Sequence, residues 1–403
     1  MKDLKIILSI IFILFSCAIY AQKSEFNPIT TGVTSLNIAP DARGGSLGDL
    51  GVATDPDVNS QYWNPAKYAF AESKGGLGVS YTPWLRKLVN DINLAYMAGY
   101  WKFGRNGTDP QALSATMRYF SLGTIQNTDE GGNVQSSVHP YELALDLGYS
   151  RKLSSNFAMA VVFRFIYSDL GYSSDGSSSA KGAPAFAADI AGYQTFYPIV
   201  GRSECQWSWG FNISNIGTKV SYDGGAHSAF LPSNLRLGTT FKFPVADYHT
   251  LALSLDLNKL LVPTAPRQSD YLNAEGKLDT EAYDIAREDY NNTSSIKGIF
   301  KSFSDAPGGF KEEMREIQMS TGLEYSYNKQ FFARVGYYYE NKYKGNRQYM
   351  TFGAGFSLNV FSLDAAYVLA TAQSSPLDQT LRFTIAFDMA GLKDMIGRKR
   401  GRR

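Results

Sequence analysis

The chain has 403 residues, with 39 basic against 37 acidic side chains, 3 histidines and 2 cysteines. A formal charge of +2 gives no argument for a nucleic-acid partner, and none is expected. If an export signal carrying Cys17 is removed, Cys205 stands alone, which excludes an intramolecular disulfide and a cysteine-built zinc site.

Residues 1–21 read as a secretory signal peptide. Lys2 and Lys5 form a basic start, Ile6 to Phe15 is apolar apart from Ser9, and small residues follow at Ser16, Ala18 and Ala21. Cleavage after Ala21 makes Gln22 the first mature residue. Cys17 opens a second reading, because Leu14-Phe15-Ser16-Cys17 partly matches a lipobox, although Phe15 stands where a small or β-branched residue is usual. No later run is long and apolar enough to cross a bilayer as a helix.

Residues 22–75 are expected to form an N-terminal arm and plug. The stretch from Leu36 to Phe70, LNIAPDARGGSLGDLGVATDPDVNSQYWNPAKYAF, has neither a clean period of 2 nor a sustained period of 3.6. It is a run of Gly, Asp, Pro and Asn with a few apolar anchors. Arg43, Gly44 and Gly45 mark a tight turn, and Trp63 precedes Asn64-Pro65, where the proline pushes Asn64 toward an extended conformation. Such a knot ahead of many amphipathic strands suits a plug inside a barrel. It also suits an arm lying on a soluble β-protein.

Strands with period 2 are predicted at 76–85, 92–102, 111–122, 138–150, 157–168, 183–196, 205–215, 233–244, 248–261, 315–327, 330–340, 346–358, 360–372 and 379–389. In one of them Leu143, Leu145 and Leu147 alternate with Glu142, Ala144 and Asp146. A soluble sandwich and a membrane barrel share that alternation. Length separates them, since a tilted strand needs about ten residues to span a bilayer and sandwich strands average about half that. The connections separate them further. Tight ones at Arg151–Asn156, Val245–Asp247, Asn328–Lys329 and Asn359 alternate with long ones at Gly123–Ser137, Asp169–Lys181, Gly217–Pro232 and Val262–Met314. Short periplasmic turns facing long outer loops are the asymmetry of an outer-membrane barrel. The expectation is an all-β fold: a 14-stranded antiparallel transmembrane barrel over 76–389, closed around an N-terminal plug. An even strand count is then expected to leave both termini in the periplasm. Trp84, Tyr100, Trp101, Tyr119 and Tyr167 near strand ends fit aromatic girdles at the lipid interfaces.

The inward face is predicted to carry Arg118, Glu142, Asp146, Arg164, Arg236, Asp256, Glu316, Glu324, Arg334, Asp364 and Arg382. Mixed charges among Gly, Ala and Ser read as an ion-paired interior rather than an apolar conduit. Arg43, the cation of the Gly-rich turn, is expected to pair with Glu142, Glu316 or Glu324.

Residues 263–314 make the largest loop, too long for an idle turn. Asp279 can cap a helix over Thr280–Tyr290, rich in acids. Ile296, Ile299, Phe300 and Phe303 then share one face if helical, and Asp305-Ala306-Pro307-Gly308-Gly309 ends it before Phe310. Ile296, Ile299, Phe300, Phe303 and Phe310 are the candidate partner-binding residues, and this apolar cluster either packs on its own barrel mouth or binds a protein. Residues 390–403 form a basic tail expected to stay in the periplasm.

No catalytic, metal or cofactor site is expected. His139, His227 and His249 fall in separate segments, and no GxSxG, HExxH or P-loop is present. Spacing in the acidic half of the loop matches no EF-hand.

Ala42-Arg43-Gly44-Gly45-Ser46, Gly48 and Tyr62-Trp63-Asn64-Pro65-Ala66 resemble the N-terminal hatch of the long-chain fatty-acid transporter (FadL) superfamily. The fuller string from Leu36 to Phe70 is most similar to the PorV branch, part of the type IX secretion system of Bacteroidetes. The SFSDAPGGF element supports the same placement. The resemblance implies a non-enzymatic outer-membrane protein, surrounded by outer-membrane lipid, that recognises the C-terminal signal domain of secreted cargo. It implies shuttling of that cargo from the translocon barrel to an attachment complex with a PorU-like sortase. A lipopolysaccharide-deacylation role has also been attached to the family. The alternative is FadL-like transport of hydrophobic small molecules.

Overall fold

The period-2 segments form one antiparallel sheet that closes on itself. The computed structural model describes residues 26–104, 109–128, 131, 133–171, 182–222, 228–273, 275–358, 360–372, 377–389 and 391. The expected signal peptide, Cys17, His227 and the basic tail after Gly391 lie outside those residues.

The barrel strands are β1 (Gly75–Pro83), β2 (Ile92–Phe103), β3 (Gln111–Leu122), β4 (Tyr141–Lys152), β5 (Phe157–Asp169), β6 (Ala183–Phe196) and β7 (Gln206–Gly217). They continue as β8 (Asn234–Ala246), β9 (His249–Leu260), β10 (Gln318–Tyr327), β11 (Phe331–Tyr339), β12 (Gln348–Ser357), β13 (Phe361–Ala370) and β14 (Leu381–Asp388). Each pairs with its sequence neighbours, and β1 pairs with β14 from Gly76↔Asp388 to Tyr81↔Phe383. Closure satisfies every ladder inside hydrocarbon, where an open edge would be costly. All fourteen predicted strands are present, with ends shifted by a few residues. At β10 the strand begins only at Gln318, because Met314–Glu316 forms a 3-10 turn that carries Glu316 to two lysines instead of into the ladder.

Burial along the wall is inverted relative to a soluble protein. Leu145, Leu147, Val161, Phe163 and Leu253 are exposed, while Asp146, Arg164, Asp256 and Arg334 are buried. Such an outer face is stable only against lipid, since apolar area left in water costs about 25 cal/mol per Å². Tyr119, Tyr141 and Tyr167 form an aromatic row across β3, β4 and β5, and Trp101 is also exposed. Two of the expected girdle residues point elsewhere. Tyr100 stacks on Tyr68 of the plug at 4.7 Å, and Trp84 packs beside Tyr338, Tyr349 and Val368.

The barrel has a turn end, where β1 starts and β14 stops, and a loop end. The described N-terminal residues reach the loop end: the Asn27 N–H donates to the Tyr343 carbonyl at 2.7 Å, and the Gly32 N–H to the Phe230 carbonyl at 2.9 Å. Among the described residues, the arm before β1 therefore begins at the end opposite the one where β14 stops. An even strand count fixes where β1 begins and β14 ends, but not the arm before β1. That arm runs the length of the lumen, from Asn27 at one end to Gly75 at the other.

Candidate functional site

The plug is built on capped turns rather than long helices. Asp41 accepts from the Gly44 N–H at 2.8 Å and caps α1 (Ala42–Gly45). Its other oxygen accepts from Trp63 Nε1 at 2.7 Å. Trp63 ends α2 (Ser60–Trp63), and its indole fills the space beside Gly44, where a Cβ would come within 2.4 Å. Asn64 is extended, with φ −164°, as the following Pro65 requires. Its Oδ1 accepts from the Ala66 N–H, while Nδ2 donates to Val52 O and to Gly192 O of β6. Plug and wall are thereby joined through one amide.

Of the three acids offered by the sequence, Glu324 is the partner of Arg43, at 3.2 and 3.3 Å. Arg43 also donates to Asp57 at 2.9 Å and to the Asp55 carbonyl at 3.0 Å. Glu324 is shared with Arg334 at 2.7 Å, and Arg334 reaches Asp364 at 2.6 Å. The result is a chain of alternating charge from plug to wall. Other inward residues hold the plug by its backbone. Arg118 donates to the Ser35 and Ile38 carbonyls, Glu142 accepts from Ser35 N–H, Asp256 accepts from Gly51 and Val52 N–H, and Arg236 donates to Tyr62 O. Arg382 pairs with Asp49 beneath the Gly-rich turn. Arg164 serves the wall instead, bridging Asp146 and Asp189. Glu316 leaves the plug altogether and binds Lys259 and Lys344 at the loop end.

Asp41, Asp49, Asp57 and the fully buried Lys67 have anchoring roles that sequence reasoning missed. Lys67 Nζ donates to Gly51 O at 2.7 Å and Thr54 Oγ1 at 3.1 Å. The signal available was the Asp41-Ala-Arg-Gly spacing of an N-cap; for Lys67 nothing in the local sequence marks burial.

At one point plug and wall meet backbone on backbone. Gly48 has φ +80° and lies against the Tyr337 main chain, while a Cβ at Gly336 would sit 2.1 Å from Gly48 N and Leu47 C. Gly336→Ala is expected to push this turn off β11 and to cost about 1–3 kcal/mol. Thermal unfolding together with protease cutting within 36–70 reads the effect. An unchanged midpoint with an uncut plug would show that the turn is not seated there.

Cavities of about 10 Å³ beside Arg118 and Arg164, and about 40 Å³ beside Trp63 and Asn258, are large enough for water and not for a solute.

The long loop at the loop end carries two helices joined by an ion pair. Asp279 caps α3 (Thr280–Asn292), and Ser294 caps α4 (Ser295–Lys301), with Lys301 on Asp289 at 2.8 Å. The side of α4 turned to the barrel is its small-residue side, where Gly298 lies against Phe230 and Pro263. Ile296 is 64% exposed, Phe300 72%, Phe303 50% and Phe310 80%, while Ile299 is half-buried. Phe303 falls just beyond α4, and Phe310 opens α5 (Phe310–Glu313). The structure thus gathers Ile296, Phe300 and Phe303 around one short helix and sets Phe310 on the next turn.

Below them, Asp305 accepts from the Thr264 N–H at 2.9 Å. Burial lifts its carboxyl to about 6; that hydrogen bond opposes the rise, and Glu313 and Glu316 add to it. Its folded value lies above the ordinary 3.8, so the fold disfavours the anion at neutral pH. The loop should therefore tighten as pH falls through about 6, with the gain complete below about 4. Hydrogen exchange at the Ser302 and Ser304 amides of this loop, corrected for intrinsic rate, is expected to show more protection at pH 5 than at pH 7.5. Asp305→Asn should abolish that difference. Equal protection at both pH values in the parent protein would overturn the assignment.

Among the described residues no group of three or more His, Cys, Asp and Glu side chains is arranged to hold a metal ion. His139 contacts Thr124, and His249 contacts Tyr325 at 2.6 Å.

A family profile described as "Type IX secretion system protein PorV" matches residues 21–267. Among curated proteins, none matches the chain. Among solved structures, the chain is similar to the Pseudomonas putida toluene transporter TodX at 10% identity and TM-score 0.48, over 90% of this chain and 99% of that one. It is similar to the Ralstonia pickettii toluene transporter TbuX at 11% and 0.45, over 87% and 97%. It is also similar to a Pseudomonas aeruginosa FadL homologue at 12% and 0.44, over 90% and 99%. The barrel itself is read from its own closed ladders.

Proposed function

The chain belongs to the PorV family of type IX secretion system proteins, and from that membership we propose that this outer-membrane barrel is a non-enzymatic carrier of secreted cargo. It binds the C-terminal signal domain of cargo at the loop end and moves it from the translocon barrel to a surface attachment complex containing a PorU-like sortase. Short turns then lie in the periplasm and long loops at the cell surface.

The observation that carries this reading is the exposed set Ile296, Phe300 and Phe303, presented on and just after a capped helix above a lumen that holds an ion-paired plug. Aromatic anchors that stay exposed on a rigid element suit a protein partner. A plug tied through Arg43, Asn64, Asp256 and Arg382 suits a closed lumen rather than a permeation path. In the proposal Arg43, Gly44, Gly45, Trp63, Asn64 and Pro65 act as structural parts of the plug.

The test is purification of the tagged barrel from native outer membranes, with identification of what accompanies it. The translocon barrel and cargo domains are the expected companions. Recovery of neither, together with saturable uptake of a hydrophobic solute into cells, would replace this reading with FadL-like transport.

A further inference from the structure

The arm before the plug reaches the loop end and lies across its mouth. Asn27 is buried there, donating its N–H to Tyr343 O at 2.7 Å and its Nδ2 to Glu312 Oε1 at 3.3 Å. Glu312 in turn accepts from Lys344, Lys344 binds Glu316, and Glu316 binds Lys259, so the arm is hooked onto an ion-pair chain joining the long loop to the wall. Between Asn27 and Gly32 the hold is weak. Ile29, Thr30 and Thr31 make no main-chain hydrogen bond among the described residues.

The arm also under-fills its seat. A cavity of about 320 Å³ separates Pro28–Thr31 from Glu316, Lys344 and Arg347. It abuts the 40 Å³ cavity, with which it shares Asn37, Leu260, Gln318 and Arg347. In that deeper space the buried Oδ1 atoms of Asn234 and Asn258 have no hydrogen-bond partner among the described residues. Buried acceptors without donors are rare in folded proteins and mark a place for a donor-bearing ligand or for water.

We propose that this mouth is a binding groove for an extended polypeptide segment, and that residues 26–31 are its resident, displaceable occupant. The class of ligand follows from three observations. What lies there is itself an extended polypeptide. The lining mixes apolar groups (Pro28, Ile29, Leu260) with polar ones whose charges are already paired, as side chains of a polypeptide require, and this disfavours a highly charged ion. The unused acceptors lie in the adjoining water-sized space, where water can link them to the row of N–H donors that an extended chain offers. Resting on the carrier reading, the natural competitor is a segment of the cargo signal domain, which displaces the arm when it binds.

The experiment uses the purified barrel, the same barrel lacking residues 22–31, and an Asn27→Ala variant as second reporter should the deletion fail to assemble. Heat-modifiable migration checks assembly of each. A labelled peptide of residues 22–34 is expected to bind the deleted barrel and not the full chain. A cargo signal domain is expected to bind the deleted barrel about tenfold more tightly than the full chain, the gain due if the arm fills the groove about nine-tenths of the time. Asn27→Ala should move affinity in the same direction by less. Peptide binding to neither form, or equally to both, overturns the groove. Equal cargo affinity with and without the arm overturns cargo as the competitor while the carrier reading stands. Peptide binding to the deleted barrel with no cargo binding to any form supports the groove and removes the carrier reading.

Discussion

Arg43→Ala is expected to loosen the plug and to lower stability by about 3 kcal/mol, the lower end of what loss of one partner of a buried ion pair costs. The guanidinium is nearly buried and serves Glu324, Asp57 and the Asp55 carbonyl together. Without it Glu324 keeps Arg334, which limits the loss, but Asp57 loses its only described salt-bridge partner. The plug segment between Asp55 and Asp57 then has no cation linking it to β10. Single-channel recording should show raised conductance, and proteolysis should reach residues 36–70. Arg43→Lys restores charge but not the two-oxygen contact with Glu324, so it should fall between the two. If conductance, proteolysis and unfolding temperature all match the parent, Arg43 does not anchor the plug.

Strand positions were legible because lipid outside and a polar lumen inside impose a period of 2 on every segment. Leu145 and Asp146 could be assigned to opposite faces from alternation alone, and the ladder places them so. Alternation also marked Arg118, Glu142, Arg236, Asp256 and Arg382 as inward. It could not say which of them meet the plug and which meet each other, because that depends on the irregular path of residues 26–74. Arg164 illustrates the limit: it faces inward as expected and binds wall groups, Asp146, Asp189 and Asn215. Asp189, one of those acids, lies in a strand of small residues, where its charge was not singled out.

The course of the arm was not legible for a related reason. Residues 27–32 hydrogen-bond to Tyr343, Glu312 and Phe230, and Val33 packs with Ile166, Val220 and Leu231, all more than 130 positions away in sequence. No local pattern encodes contacts of that kind. The helical spacing of Ile296, Phe300 and Phe303 was readable, but their exposure was not, since an amphipathic helix usually turns its apolar side inward. Here Gly298 takes the inward side because only a small residue fits against Phe230 and Pro263.

That reversed orientation gives the largest expected functional effect. Phe300→Ser with Phe303→Ser should leave the barrel assembled, since neither residue belongs to a strand and both are exposed. Loss of an aromatic anchor at a protein interface typically costs about 2 kcal/mol or more. The double variant should therefore bind cargo signal domains, or the translocon, at least roughly thirtyfold more weakly. Cells carrying it should accumulate secreted cargo in the periplasm. A matched change on the acidic helix, Glu281→Ser with Asp284→Ser, removes exposed charge without apolar area and should have little effect. Heat-modifiable migration separates a binding defect from failed assembly. If the double variant binds cargo and translocon normally, supports secretion, and instead loses uptake of a hydrophobic solute, this loop belongs to a transport path and the carrier reading fails at it.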